Sequence, residues 1–261
     1  MEFFAPYKQK KIYIRNHTAK SPLFYKSLNM MGAVFTVNLD KVIHLLPKTL
    51  NLIPLTLAPF AKQRAIIGIY CFEYKETDIG PYNEFSIALA LNPTKTNFLS
   101  AFEIIKNIFI ESHHGYVLQM PVTTEIAYWG GVDYFNFPKY ITNIQFEDTL
   151  TTRICNVYDR NNQKLICSLE GEKISIKKNK NLTHKIYKFN TYSILQEKLA
   201  HASFLINPLN QKKIYFPKKT KLTFGDHEKS LCFKNLDWSQ HAIQYIYAPD
   251  CEGILFEPEL N

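Results

Sequence analysis

Glycine is scarce in this chain, at nine of 261 residues. None of the glycines falls into G-x-G-x-x-G, a P-loop or G-x-S-x-G, so the signatures of dinucleotide binding, P-loop nucleotide hydrolysis and the α/β-hydrolase nucleophile are all missing. Cysteine is little used. The five residues, Cys71, Cys155, Cys167, Cys232 and Cys251, are odd in number and include no C-x-x-C pair, which argues against a disulfide framework and for reduced thiols in a cytosol. Long apolar runs are absent. Ala65–Phe72 and Phe85–Leu91 fall well short of the ~20 residues that span a bilayer, and Met1–Ala5 is too short and too acidic for a signal peptide. The sequence therefore predicts a cytoplasmic protein with no membrane contact. His113 and His114 are adjacent, their side chains diverge, and no third ligand is close in sequence, so no metal site is expected. No repeat, low-complexity tract or linker interrupts the chain. One domain over 1–261 is expected, with an irregular N-terminal segment over 1–20 and one short strand near Lys11–Arg15.

What is present favours strands. The chain is 46% hydrophobic and 14% aromatic, and aromatic and β-branched residues suit a pleated, half-buried surface. Strands are predicted at Gly32–Asn38, Ala65–Glu73, Glu84–Leu91 and Tyr116–Met120, with a turn-rich loop over Tyr74–Asn83 centred on Gly80-Pro81. Asn38 or Asp40 can cap a short helix, Lys41–Leu46. Asn97–Ile108 shows helical spacing, and Thr124–Val132 and Tyr192–His201 are further candidate helices. Thr151–Tyr158 and Lys164–Leu169 flank a polar turn and predict a hairpin. Lys173–Lys178, Lys185–Phe189, Lys213–Phe216, Leu222–Phe224, Ile243–Tyr247 and Ile254–Phe256 read as further strands. Many strands with few helices predict a mainly β, α+β fold, a large antiparallel sheet that curls or closes. The formal net charge is +8. Lys173–Lys185 and Lys212–Lys221 alternate with apolar residues as solvated strand faces do, so no nucleic-acid partner is expected.

The most informative stretch is Pro121–Glu147. It holds a single cationic side chain, Lys139, among Tyr128, Trp129, Tyr134, Phe135, Phe137 and Tyr140. Pro138 pushes the residue before it towards an extended conformation, so it bounds whatever helix precedes it. Gly130 and Gly131 mark either the end of that helix or a close approach between backbones. An apolar wall disfavours an ammonium group, and the neutral amine is the form that attacks a ketone to give a Schiff base. The alternative is that Lys139 lays its stem on the rings and keeps its ammonium in water.

Three segments resemble the acetoacetate decarboxylase family. Gly80-Pro81-Tyr82-Asn83-Glu84, leading into an apolar strand, is similar to its GPYxE segment. Gly131-Val132-Asp133-Tyr134-Phe135-Asn136-Phe137-Pro138-Lys139 resembles its G-x-E-x-x-x-(F/Y)-P-K segment, which carries the Schiff-base lysine. Leu222–His227, with Leu236 and a final β hairpin, resembles its C-terminal segment. Gly32–Leu50 also fits its N-terminal part, so the match runs in order from about Ser21 to Pro258. The resemblance implies a cone-like, partly closed antiparallel β-barrel with a few short helices, assembled into homo-oligomers and needing no cofactor. It assigns Lys139 as nucleophile and Glu84 as the carboxylate that orients substrate or moves a proton. It places Tyr82, Phe137, Tyr140 and Asp133 at the substrate pocket, with Asp133 standing where the family has glutamate.

The departures bear on the substrate. Tyr140 replaces a second lysine. Leu28–Met31 offers no basic residue for a substrate carboxylate, and Ile66–Tyr70 is apolar where a further acid is expected. The implied activity is a Schiff-base-forming carbon–carbon lyase acting on a small keto acid or ketone. The alternatives are an aldolase-dehydratase acting on a keto acid and an aldehyde, and a catalytically silent small-molecule-binding relative.

Overall fold

The alternating apolar runs become long strands. The computed structural model describes residues 2–48, 52–58, 60–92, 112–173 and 186–260. The strands are β1 (Lys10–Ile14), β2 (His17–Ser21), β3 (Leu23–Asn38), β4 (Thr56–Leu57), β5 (Ala61–Thr77), β6 (Tyr82–Ala90), β7 (Ser112–Val122), β8 (Lys139–Ile141), β9 (Asn143–Asp148), β10 (Thr152–Tyr158), β11 (Leu165–Glu172), β12 (Tyr187–Leu195), β13 (Lys198–Tyr215), β14 (Lys221–Phe224), β15 (Gln244–Leu255) and β16 (Glu259–Leu260). The helices are α1 (Leu39–Val42), α2 (Glu125–Phe135) and α3 (Glu228–Lys234). None of the helices among the described residues is long and apolar enough to cross a membrane.

The main sheet runs β12-β13-β15-β3-β5-β6-β7-β8 and curls until β12 also pairs β7. The outer edge of β7 is shared. Ser112–Tyr116 pairs in parallel with Lys188–Tyr192, and Met120–Val122 pairs in parallel with Lys139–Ile141. The expected curled, partly closed, mainly β sheet is thus present, mixed at these two pairings and antiparallel elsewhere. A second, four-stranded antiparallel sheet, β14-β11-β10-β9, shares an apolar core with the outer face of the main one. Cys71, Cys155 and Cys167 are buried in that core, and no disulfide forms among the described cysteines.

Arg153 fastens the two sheets together. Its guanidinium donates to Glu73 on β5 at 2.5 Å and to Asp148 on β9 at 3.2 Å, and lies over the Phe146 ring. Arg153→Ala is expected to cost about 3 kcal/mol in urea unfolding. That is the low end for breaking a buried pair, because both carboxylates keep access to water. A loss under about 1 kcal/mol would mean that the bridge contributes no more than an exposed one.

Several expectations need correction. The short strand expected near Lys11–Arg15 is β1, but the residues after it are not irregular: His17–Ser21 is β2, and the two form a hairpin turning at Arg15 with φ 52°. Tyr192–His201 is no helix. It is the β12–β13 hairpin, reversed at Gln196 and Glu197 with φ 51° and 62°. Ile243–Tyr247 and Ile254–Phe256 are not two strands of a final hairpin, since one long bulged strand, β15, covers nearly all of both. Gly130 and Gly131 lie inside α2, which ends only at Asn136, a left-handed C-cap with φ 49°. The expected helix at Asn97–Ile108 and most of the expected strand at Lys173–Lys178 lie outside the described residues.

Candidate active site

The β5–β6 turn explains the first motif. Gly80 takes φ 84°, a conformation that favours glycine, and Thr77 braces the turn through its hydroxyl. The strand resumes at Tyr82. Period-two alternation puts Tyr82, Glu84, Ser86 and Ala88 on one face, opposite Tyr74, Phe72, Tyr70 and Gly68 in register. That face is the inside of the curl.

The second motif delivers the lysine. At the end of α2 the amides of Asn136 and Phe137 donate to the carbonyls of Val132 and Gly131, and Pro138 hands the chain to β8. Lys139 then points inward across α2. A Cβ built at Gly131 would lie 2.3 Å from both Cδ and Cε of Lys139, so the lysine stem occupies the space that any larger residue would fill. On the other side, Gly130 packs under Ile14 of the N-terminal hairpin. The paired glycines serve a side-chain approach, not a helix end.

Lys139 Nζ donates to Glu84 Oε2 at 2.8 Å, with the two side chains 7% and 8% exposed. Tyr74 donates to the other carboxylate oxygen at 3.3 Å, and the hydroxyls of Tyr25 and Tyr82 are 3.1 Å apart. Burial above all, with the charge on Glu84 adding to it, pushes the phenols of Tyr25, Tyr74 and Tyr82 well above their ordinary value of 10. They stay protonated and keep their donors.

The pair opens on a cavity of about 410 Å³ lined mainly by aromatic and aliphatic side chains, within the usual range for small-molecule sites. Tyr25, Tyr74 and Phe204 surround the Lys139 end. A smaller hollow of about 60 Å³ lies behind the lysine, bounded by Gly131, Tyr82 and the N-terminal hairpin. Of the expected site residues, Lys139 and Glu84 meet, Phe137 lines both hollows, and Tyr82 lines the smaller one.

Tyr140 and Asp133 do not join them. Tyr140 follows Lys139 on a strand, so it faces the other way, bonded to Gln119 at 2.5 Å under the ammonium of Lys229. Asp133 lies two residues beyond Gly131 on a helix, and residues so spaced do not share a face. It pairs with Arg15 at 2.9 Å on the surface. Leu28 and Met30 are buried and supply no cation, as the departures implied. Sequence reasoning missed Tyr74 and Tyr25. Tyr74 was countable from the hairpin register opposite Tyr82, whereas Tyr25 carries no local signal.

His113 and His114 also line the cavity. Burial lowers both from 6.5 to about 4, helped by Lys213 for the first and His201 for the second. The unfolded chain therefore takes up protons first as pH falls, and stability should decline from about pH 6.5 towards pH 4. Thermal melts across that window should show the decline, and His113→Phe should flatten it. A slope unchanged by that substitution would count against this assignment.

The sequence profile described as acetoacetate decarboxylase (ADC) matches residues 3–209. The chain belongs to the acetoacetate decarboxylase family. Solved structures agree on the fold. An acetoacetate decarboxylase from Legionella pneumophila subsp. pneumophila str. Philadelphia 1 superposes with a TM-score of 0.65 at 11% identity, covering 92% of this chain and 87% of that one. Another acetoacetate decarboxylase structure gives 0.64 at 11%, covering 92% and 89%. The enduracididine biosynthesis enzyme MppR complexed with pyruvate gives 0.60 at 11%, covering 91% and 89%. No curated protein matches the sequence. In the family's G-x-E-x-x-x-(F/Y)-P-K segment, Gly131 is the residue that makes room for Lys139, and in GPYxE the last residue is the carboxylate that meets it.

Proposed function

We propose that this member of the acetoacetate decarboxylase family is a Schiff-base-forming carbon–carbon lyase acting on a keto acid or ketone through Lys139. The observation that carries this reading is the buried Lys139–Glu84 pair at the end of an open cavity. Transfer of one proton from Lys139 Nζ to Glu84 Oε2 leaves an amine that can attack the substrate carbonyl. Glu84, now a carboxylic acid, returns that proton to the departing hydroxyl, and water leaves as the iminium forms. The iminium draws the electron pair of the adjacent C–C bond. In a β-keto acid carbon dioxide departs and an enamine remains. Protonation at carbon and hydrolysis then release the ketone and Lys139. With Tyr82 donating in their pair, the Tyr25 hydroxyl can donate to a substrate oxygen, in a lining whose described residues include no arginine.

A second reading is aldolase-dehydratase chemistry, with the same enamine attacking an aldehyde. It is favoured by the absence, among the described lining residues, of any lysine or arginine besides Lys139 to hold a β-carboxylate, and by the pyruvate complex of the structurally similar MppR. A catalytically silent relative would hold a small molecule in the same cavity without bonding covalently to Lys139.

The test is to incubate the protein with a panel of keto acids, reduce with borohydride and map adducts by mass spectrometry. The expected adduct is on Lys139 and absent from Lys139→Arg. Carbon dioxide release from acetoacetate then sorts decarboxylation from aldol chemistry. An unmodified Lys139 with every substrate would end the lyase reading.

A further inference from the structure

The cavity extends far beyond what a four-carbon keto acid needs. Along β6 it is lined from Glu84 through Ser86 and Ala88 to Ala90, six steps or ~20 Å of antiparallel strand. The register of the neighbouring strands agrees. Phe204 and Leu255 pair near the lysine, and Tyr215, Gln244 and Val34 line up in adjacent strands at the level of Gly68 and Ala88. At that far end Tyr215 and Phe216 line the cavity while remaining 52% and 75% exposed, so aromatic rings form its rim.

The bore is held open by small residues placed under a large one. A Cβ at Gly32 would stand 2.6 Å from the Tyr70 ring, and one at Gly68 would stand 2.8 Å from it. The ring therefore lies down over two glycines on adjacent strands and does not project across the cavity. Ser86, Ala88, Ala90 and Gly115 keep the facing wall low. Among the described lining residues only Lys139 and Glu84 carry formal charge at neutral pH, since His113 and His114 are neutral there. Water fills apolar cavities poorly, so a small polar substrate would leave most of this space without a fitting occupant.

We infer that the substrate is an elongated carbonyl compound whose carbonyl meets Lys139 and whose uncharged, apolar tail fills the cavity towards Tyr215 and Phe216. This rests on the lyase reading of Lys139 and adds the substrate class to it.

The experiment is borohydride trapping of the wild-type protein with acetone, heptan-2-one and undecan-2-one, and with an undecanone carrying a terminal carboxylate. The concentration giving half-maximal adduct on Lys139 should fall about fourfold for each added methylene buried. The terminal carboxylate should raise it at least tenfold, because a charge in this lining has no partner. Ala88→Phe should weaken trapping by undecan-2-one more than trapping by acetone. Adduct formation on Lys139 that is flat or falling with chain length overturns the inference and leaves the lyase reading intact. If Lys139 traps nothing at any length, the lyase reading fails, and calorimetric binding of heptan-2-ol and undecan-2-ol decides the inference. Affinity that rises with length keeps the apolar slot, and no binding overturns it.

Discussion

Gly131→Ala is expected to slow Schiff-base formation at Lys139 by about a hundredfold or more while leaving the protein folded. The new methyl group would stand where Cδ and Cε of Lys139 now run, 2.3 Å from each. The lysine must swing away, which breaks its 2.8 Å contact with Glu84 and withdraws the amine from the cavity. A misplacement of ~1 Å at a reacting group can cost about a hundredfold. The backbone should accept the change, because Gly131 sits inside α2 and is not among the positive-φ residues, where alanine is favoured by ~1 kcal/mol over glycine. Borohydride trapping rates and a melting curve on the same preparation separate the two effects. Trapping at the wild-type rate would mean that the helix does not aim the lysine. Gly130→Ala is the contrasting control, since its methyl group would meet Ile14 of the hairpin instead.

Glu84→Leu should be more damaging than removing the pair outright. The single change leaves the Lys139 ammonium, 7% exposed, with no counter-charge and cancels a proton acceptor. Breaking a buried pair from one side costs ~3–5 kcal/mol, and loss of a positioned acid–base group costs about a hundredfold to ten-thousandfold in rate. The double variant Glu84→Leu with Lys139→Met should recover most of the stability, because apolar residues of similar size replace a buried pair at little cost. It should recover none of the trapping. Urea unfolding of both variants measures the first expectation and mass spectrometry the second. A Glu84→Leu protein as stable as wild type would mean that the pair is not closed to water.

The parts of the molecule legible in the sequence are those where a short-range pattern matches its physical cause. Gly80-Pro81 names its turn, and Tyr82 and Glu84 two and four residues on share a face because a strand alternates. Pro138 separates a helix from a strand. The parts that misled had no such pattern. Gln196 and Glu197 turn a two-residue hairpin with both φ values positive, a task usually done by asparagine or glycine, so the flanking apolar residues passed for a helix. The resemblance puts Tyr140 and Asp133 at the site, where the family has a second lysine and a glutamate, and strand and helix geometry turn them outward. The Tyr25 contact depends on β3 lying beside β5, information held in sheet register and not in any local stretch.

The order of strands in the ring has a consequence for how the molecule is built. β3 through β7 can zip together in the order in which a ribosome releases them, with each hairpin or neighbour already at hand. β15 belongs between β3 and β13, so the flank of β3 stays unzipped until β4 through β14 have been synthesised. Nascent chains should accordingly lean on chaperones until β15 emerges. Deleting β15 should yield aggregates and not a smaller folded unit, since it would bare two long sticky edges at once.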